Sequence, residues 1–198
     1  IAAQGAVTFI ASPNSPLGNA VPLDQLDTLA TELRGILVID EAYVDFTNRN
    51  ALSLTQKYDN VILLRTLSKG YSLAGLRLGF AIAPPALITD LNKVKDSYAV
   101  DAIATLVGAA AIRDQGHKNG NVEKVLRSRA MLKHQLETLG FRVWPSEGNF
   151  LLARSSQQSA LKLQQSLKNL GVLVRHFNVP GVEDKLRITV GTDEQNEF

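Results

Sequence analysis

The sequence predicts an α/β protein with a mostly parallel sheet, followed by a smaller α/β unit. Three observations carry that expectation. Short, nearly uninterrupted apolar runs recur as "ILVID" (36–40), "NVILL" (60–64) and "LGFAIA" (78–83), and runs of that kind suit strands buried on both faces. Segments with the apolar spacing of helices lie between and after them. Loops rich in proline, glycine, serine and asparagine punctuate the alternation. The layout expected is a large domain over 1–95, a connecting helical region over 96–120 and a small C-terminal domain over 121–198.

Each element follows in order. "AVTFIA" (6–11) is rich in strand formers and is stopped by "SPNSPLG". In "LDQLDTLATELRG" the residues Leu26, Leu29, Ala30 and Leu33 fall on one helical face, with Gly35 placed as a left-handed stop. The three apolar runs then read as strands of a sheet covered on both faces. Beyond Pro84 and Pro85 the alanine-rich stretch 100–114 predicts an apolar helix, one that could pack between domains. A further helix ending at Gly140 carries the stripe Val122, Val125, Leu132, Leu136 and Leu139. Strand "NFLLA" (149–153), a helix with Ala160, Leu163, Leu167 and Leu170 on one face, and strands at 172–174 and 186–190 complete the small unit.

Composition narrows the function classes. At 198 residues and 45% apolar content the chain can fill a core. Its 21 basic and 19 acidic residues leave a net charge of +2 with no charged block, which argues against electrostatic capture of nucleic acid or of an anionic membrane. The absence of cysteine excludes disulfides and thiolate metal sites and fits a cytoplasmic protein. No apolar run approaches the roughly 20 residues needed to cross a bilayer, and the opening residues lack the basic start of a signal peptide. His117, His134 and His176 have no metal-ligand spacing, so no metal is expected. Trp144 reads as packing. The chain opens on "GAVTFIASP", a strand in progress, and closes on "GTDEQNEF", a turn entering a helix; a fragment is the expectation.

The chemistry gathers where ligands bind in open α/β sheets, outside the carboxyl ends of the strands. "SPNSPLG", "DEAYVDF" and "RTLSKG" all fall there. Together they offer an amide, a carboxylate, a phenol, a primary amine and two hydroxyls, the groups that pyridoxal 5′-phosphate requires. Lys69 leaves a strand end between Thr66, Ser68 and Gly70, where a partly desolvated amine can be neutral and capture an aldehyde. Asp40 ends a buried strand, so its carboxylate can hold the proton of a pyridine nitrogen. At about 3 Å and an effective dielectric near 20 that attraction is roughly 5 kcal/mol before desolvation is subtracted. Tyr43 can supply a phenol to the ring hydroxyl, and Thr66, Ser68 and Arg77 can bind the phosphate.

The motifs "SPNSPLG", "DEAY", "RTLSKGYSLAGLRLGF", "SEGNFLLAR" and "LRITVGT", taken in order, resemble the fold type I, aspartate aminotransferase-like pyridoxal phosphate enzymes, and within them the histidinol-phosphate aminotransferase family. The resemblance implies a homodimer acting on small molecules, a phosphorylated amine and a 2-oxo acid. It implies that Lys69 holds the cofactor covalently, that Asp40 and Tyr43 contact its ring, and that Thr66, Ser68 and Arg77 hold its phosphate. It also implies that Arg175 and Arg187 bind the anionic end of the substrate, with Asn149 in the site wall; singly, both arginines read as solvated strand ends. In the family's Asn-Asn-Pro-Thr-Gly loop the ring-contacting asparagine precedes the proline, where this chain has Ser15, so Asn14 is the candidate substitute.

Rival readings remain. Within the class these are another fold type I aminotransferase or a phosphothreonine-type decarboxylase. Outside it stands a catalytically silent unit for folding or interaction. A nucleotide triphosphatase would need a glycine-rich loop ending in Gly-Lys-Ser or Gly-Lys-Thr, which the chain lacks.

Overall fold

The computed structural model describes residues 4–197. It separates into two compact units, one holding the chain up to Asn14 together with Ala20–Asn121, the other holding Ser15–Asn19 together with residues from Val122 onward.

The first unit is a four-stranded sheet in the order β1 (Val7–Ala11), β2 (Ile36–Asp40), β3 (Val61–Thr66), β4 (Gly79–Ile82). β1, β2 and β3 are parallel, because helices α1 (Leu23–Glu32) and α2 (Leu54–Lys57) supply the crossovers that parallel pairing requires. β4 is antiparallel to β3. An apolar run has the same composition in either direction; here the connection over 67–78 holds only a 3-10 turn, Ala74–Leu76, and returns the chain as a long hairpin.

One face of the sheet packs Leu37, Ile39, Val61 and Leu63 against Leu26, Ala30 and Leu33 of α1 and Leu54 of α2. Each of these leucines and isoleucines contributes about 1.5–3 kcal/mol of burial. Coverage of the opposite face is uneven among the described residues: Val38 and Ile62 are buried, but their neighbour in register on β1, Phe9, is 68% exposed. The expectation of two covered faces therefore holds for β2 and β3 and fails at β1.

Gly35 does not terminate α1 by a left-handed turn, since Leu33 caps it in extended conformation. Glycine is needed there for another reason: a Cβ would stand 2.7 Å from the carbonyl carbon of Ala6. α3 (Pro85–Val94) opens the helical stretch that follows Pro84 and begins with proline at its first position. α4 (Ala102–Arg113) is capped by Asp101, whose carboxylate accepts from Ala104 N at 2.8 Å. Gly108 lets α4 approach Leu67 and Leu78.

Helix α5 (Gln115–Thr138) starts earlier than its apolar stripe suggests. Its later turns build the second unit, where Leu132 and Leu136 pack on Val143, Leu151, Ala153 and Val190. Gly140 adopts φ +84°, the predicted stop, whereas Leu139 is 69% exposed and leaves the stripe. The sheet runs β5 (Phe141–Val143), β6 (Phe150–Ser155), β8 (Leu186–Thr189), β7 (Arg175–His176), all antiparallel. The short β5 was unanticipated, and β7 begins just past the expected 172–174. α6 (Ala160–Asn169) is capped by Ser159 and buries Ala160, while Leu170 is exposed. A short α7 (Asp193–Glu197) follows β8. No helix among the described residues is long and apolar enough to cross a membrane.

Candidate active site

In the first unit Asp40, Tyr43, Thr66, Ser68 and Lys69 lie at or just past the carboxyl ends of β2 and β3. Side chains alternate along a strand, so Asp40 shares a face with Val38 and Leu64, and Glu41 points the other way. Asp40 Oδ1 accepts from Ala42 N at 2.9 Å, and among the described residues Oδ2 has no hydrogen bond. Glu41, 2% exposed, is fully engaged: it accepts from Ala51 N at 2.6 Å and from Arg65 Nε at 2.8 Å, with Arg65 Nη2 at 2.7 Å. The tandem acids thus divide into one carboxylate with a vacant oxygen and one bound into the frame.

Lys69 is partly buried, with Nζ 5.6 Å from the centroid of the Tyr43 ring. It has no ion-pair partner among the described residues. The Thr66 hydroxyl donates to Ser68 Oγ at 2.9 Å and accepts from Ser68 N at 3.1 Å, so the two predicted hydroxyls stand together. Arg77 is not brought to them. It adopts a left-handed backbone, φ +53°, and donates from Nη1 to Ala74 O at 3.0 Å on the exposed side of its own turn. Asn14 is partly buried in this unit and makes no side-chain hydrogen bond among the described residues.

The second unit assembles a separate cationic cluster. Arg175 and Arg187 are direct partners across the β7–β8 ladder. Their guanidinium carbons lie 5.4 and 5.8 Å from the centroid of the Phe177 ring, and that of Arg187 also lies 5.3 Å from the centroid of Phe150. Arg187 Nη1 donates to Ser15 Oγ at 2.8 Å, while its Nε is buried with no partner among the described residues. An orphaned guanidinium N–H is costly unless an acceptor arrives.

Ser15 is held by its loop. Gly18 has φ +84° and lies against Ser146, whose Cβ would stand 2.8 Å from an added methyl; Glu147 N donates to Gly18 O at 2.6 Å. Arg129 Nη1 donates to Gly148 O at 2.7 Å, next to Asn149, whose own carbonyl accepts from Val190 N at 2.9 Å. Burial pulls the Arg129 pKa down, and the nearby Glu147 charge opposes that.

Sequence reasoning missed Ser15 as the partner of Arg187, the aromatic pair Phe150 and Phe177, and Arg129. The only local trace of them was the break from the usual loop at Ser15. The donors that are present suit pyridoxal phosphate chemically. An amine with no ion partner and a carboxylate oxygen with no hydrogen bond among the described residues, a phenol and two paired hydroxyls lie in one unit. The other holds a guanidinium with an unmet N–H.

Comparison with known proteins gives a concordant picture. A family model described as aminotransferase class I and II matches residues 2–197. Histidinol-phosphate aminotransferase 1 of Trichormus variabilis is 62% identical over the whole chain, which covers 57% of that protein. The chain thus spans little more than half the length of the curated relative. The crystal structure of histidinol-phosphate aminotransferase from Sinorhizobium meliloti in complex with pyridoxal-5′-phosphate superposes with a TM-score of 0.88 at 25% identity, over 97% of this chain and 55% of that one. The histidinol-phosphate aminotransferase from Clostridium acetobutylicum, 22% identical, shares the fold with a TM-score of 0.89, over 97% of this chain and 61% of that one.

Proposed function

Because the chain belongs to the class I and II aminotransferases, we propose that it carries the cofactor lysine and substrate arginines of a pyridoxal phosphate-dependent transaminase. The reaction proposed is amino transfer between histidinol phosphate and 2-oxoglutarate, in histidine biosynthesis. The observation that carries the reading is Lys69, an amine with no ion partner among the described residues, set over the Tyr43 ring beside the Thr66–Ser68 hydroxyl pair. The names of the relatives support the substrate.

When bound, pyridoxal phosphate supplies an electron-withdrawing ring that stabilises negative charge at the substrate's α carbon. The chain's own residues have these tasks. Lys69 would hold the cofactor through its amine and would move the proton of the substrate's α carbon. Asp40 holds a proton at the pyridine nitrogen with its vacant oxygen. Tyr43 donates to the ring hydroxyl. Thr66, Ser68 and Arg77 would hold the phosphate of the cofactor. Arg187 and Arg175 bind the anionic end of the substrate, Ser15 orients Arg187, and Asn149 lines the wall.

The proposal extends to a cytoplasmic homodimer. Exposed apolar residues Ile103 and Leu106 on α4 provide surface that a second subunit would cover. The test is borohydride reduction of the full-length protein with pyridoxal phosphate, peptide mapping, and an assay for glutamate formed from histidinol phosphate and 2-oxoglutarate. The expected result is a single adduct at Lys69, with both adduct and turnover lost in Lys69→Ala. An adduct at Lys57 or Lys93 would overturn the assignment, and the absence of glutamate would overturn the substrate.

A further inference from the structure

We propose that Asp45 and Lys118 form a brace that positions Lys69, making Lys118 a positioning residue for the reaction; the inference rests on the reading of Lys69 given above. Gly70, buried and next to Lys69, lies directly on the Asp45 side chain: a Cβ at Gly70 would stand 2.5 Å from Asp45 Cγ. The peptide after the lysine therefore has the Asp45 carboxylate as its floor, and the floor is fixed from the far side. Lys118, in the first turns of α5, pairs with Asp45 Oδ1 at 3.4 Å, the two side chains being 15% and 14% exposed.

The same helix turn reaches the next residue of the loop. Lys118 Nζ lies 5.7 Å from the centroid of the Tyr71 ring, and Gln115 Nε2 donates to the Tyr71 hydroxyl at 3.1 Å. Residues 69–71 are thus held between the 3-10 turn Val44–Phe46 and the start of α5. The loop needs holding, because Ser72 and Arg77 adopt left-handed backbones, φ +57° and +53°, that non-glycine residues disfavour.

The electrostatics make the brace conditional on Lys118. A mostly buried carboxylate is tolerated when paired and becomes a liability when its partner is removed. Without Lys118, Asp45 turns toward water, and the floor under Gly70 goes with it. A misplacement of about 1 Å at a reacting group can cost orders of magnitude in rate, whereas the substrate arginines lie in the other unit and are untouched. The brace thus acts on the rate of chemistry at Lys69 and leaves substrate affinity alone.

The test uses the full-length protein and three variants: Lys118→Met, Lys118→Arg and the double variant Asp45→Asn/Lys118→Met. Covalent capture of pyridoxal phosphate is followed by its visible absorbance and by borohydride trapping at Lys69, with kcat and KM measured separately. Lys118→Met is expected to slow capture about tenfold and lower kcat by a similar factor, with KM within about twofold of the parent. Lys118→Arg restores most of the loss. The double variant, with no buried charge left to strand, captures cofactor faster than Lys118→Met, and if Lys118→Met does not fold, the double variant and Lys118→Arg are compared with the parent. Parental capture by Lys118→Met, a loss confined to KM, or folded Lys118→Arg and double variants both as slow as Lys118→Met would overturn the brace. A parent that forms no adduct at Lys69 overturns the functional reading, and the brace with it.

Discussion

Arg175 and Arg187 face each other directly across the β7–β8 ladder, with both guanidinium groups over the ring of Phe177. Like charges so placed are unfavourable in a bare antiparallel pair. The aromatic face offsets part of that cost, and a dianion offsets more. A phosphate monoester carries close to two charges and three acceptor oxygens, so it suits two guanidinium forks better than a carboxylate does. Arg175→Ala should therefore cost a phosphorylated substrate roughly 2 kcal/mol or more, and a carboxylate substrate much less. The measurement is the ratio of kcat/KM for histidinol phosphate to that for an ordinary amino acid, in parent and variant. An unchanged ratio would sink the phosphate role of Arg175.

Asp40→Asn keeps the shape of the side chain and an oxygen to accept from Ala42 N, while removing the charge that the proposed role at the pyridine nitrogen requires. Turnover should fall by about two orders of magnitude or more at unchanged thermal midpoint, with cofactor still bound. Near-normal turnover would show that this carboxylate serves another purpose.

Gly18→Ala meets two penalties, a φ of +84° and the side chain of Ser146. The expected loss is about 1–3 kcal/mol in urea unfolding. Because Ser15 belongs to the same loop and holds Arg187, KM for the amine substrate should rise as well. A variant as stable as the parent would show that the loop relaxes freely.

The exposed pair Asp27–Lys57 ties α1 to α2. The hydrogen bond from Lys57 lowers the Asp27 pKa below its ordinary 3.8, and the hydrogen bond to Asp27 raises that of Lys57 above 10.5. For Asp27 the contribution is complete above 3.8 and disappears as pH falls through the depressed folded value. For Lys57 it is complete below 10.5 and disappears as pH rises through the elevated one. Asp27→Asn should thus show a small deficit in thermal midpoint that is level across neutral pH and closes at both extremes; solvent screening keeps it small. A deficit that varies between pH 6 and 8 would point to another group.

What the sequence revealed depended on how local the cause was. Strand β2 and the loops that carry Tyr43 and Lys69 were legible because apolar runs and turn residues act over a few positions. The reversal of β4 was invisible, since composition carries no direction, and β5 was too short to show a pattern. The bond from Arg187 to Ser15 joins residues far apart in the chain, so nothing near either one signalled it. The contact of Gly70 with Asp45 was hidden for the same reason. Leu139 and Leu170 fit their helical stripes by spacing yet are exposed, because both helices end before them.

The contrast between Asp40 and Glu41 also bears on the register of the sheet. Only one alignment of β2 on β3 gives Glu41 its three donors, the Ala51 amide and two nitrogens of Arg65. A slip of one residue would turn every side chain of β2 to the opposite face, aim Asp40 at Arg65 and strand the Glu41 carboxylate, at a cost of about 3–5 kcal/mol. The alignment that satisfies Glu41 is thus the one that sets Asp40 on the face of Val38 and Leu64.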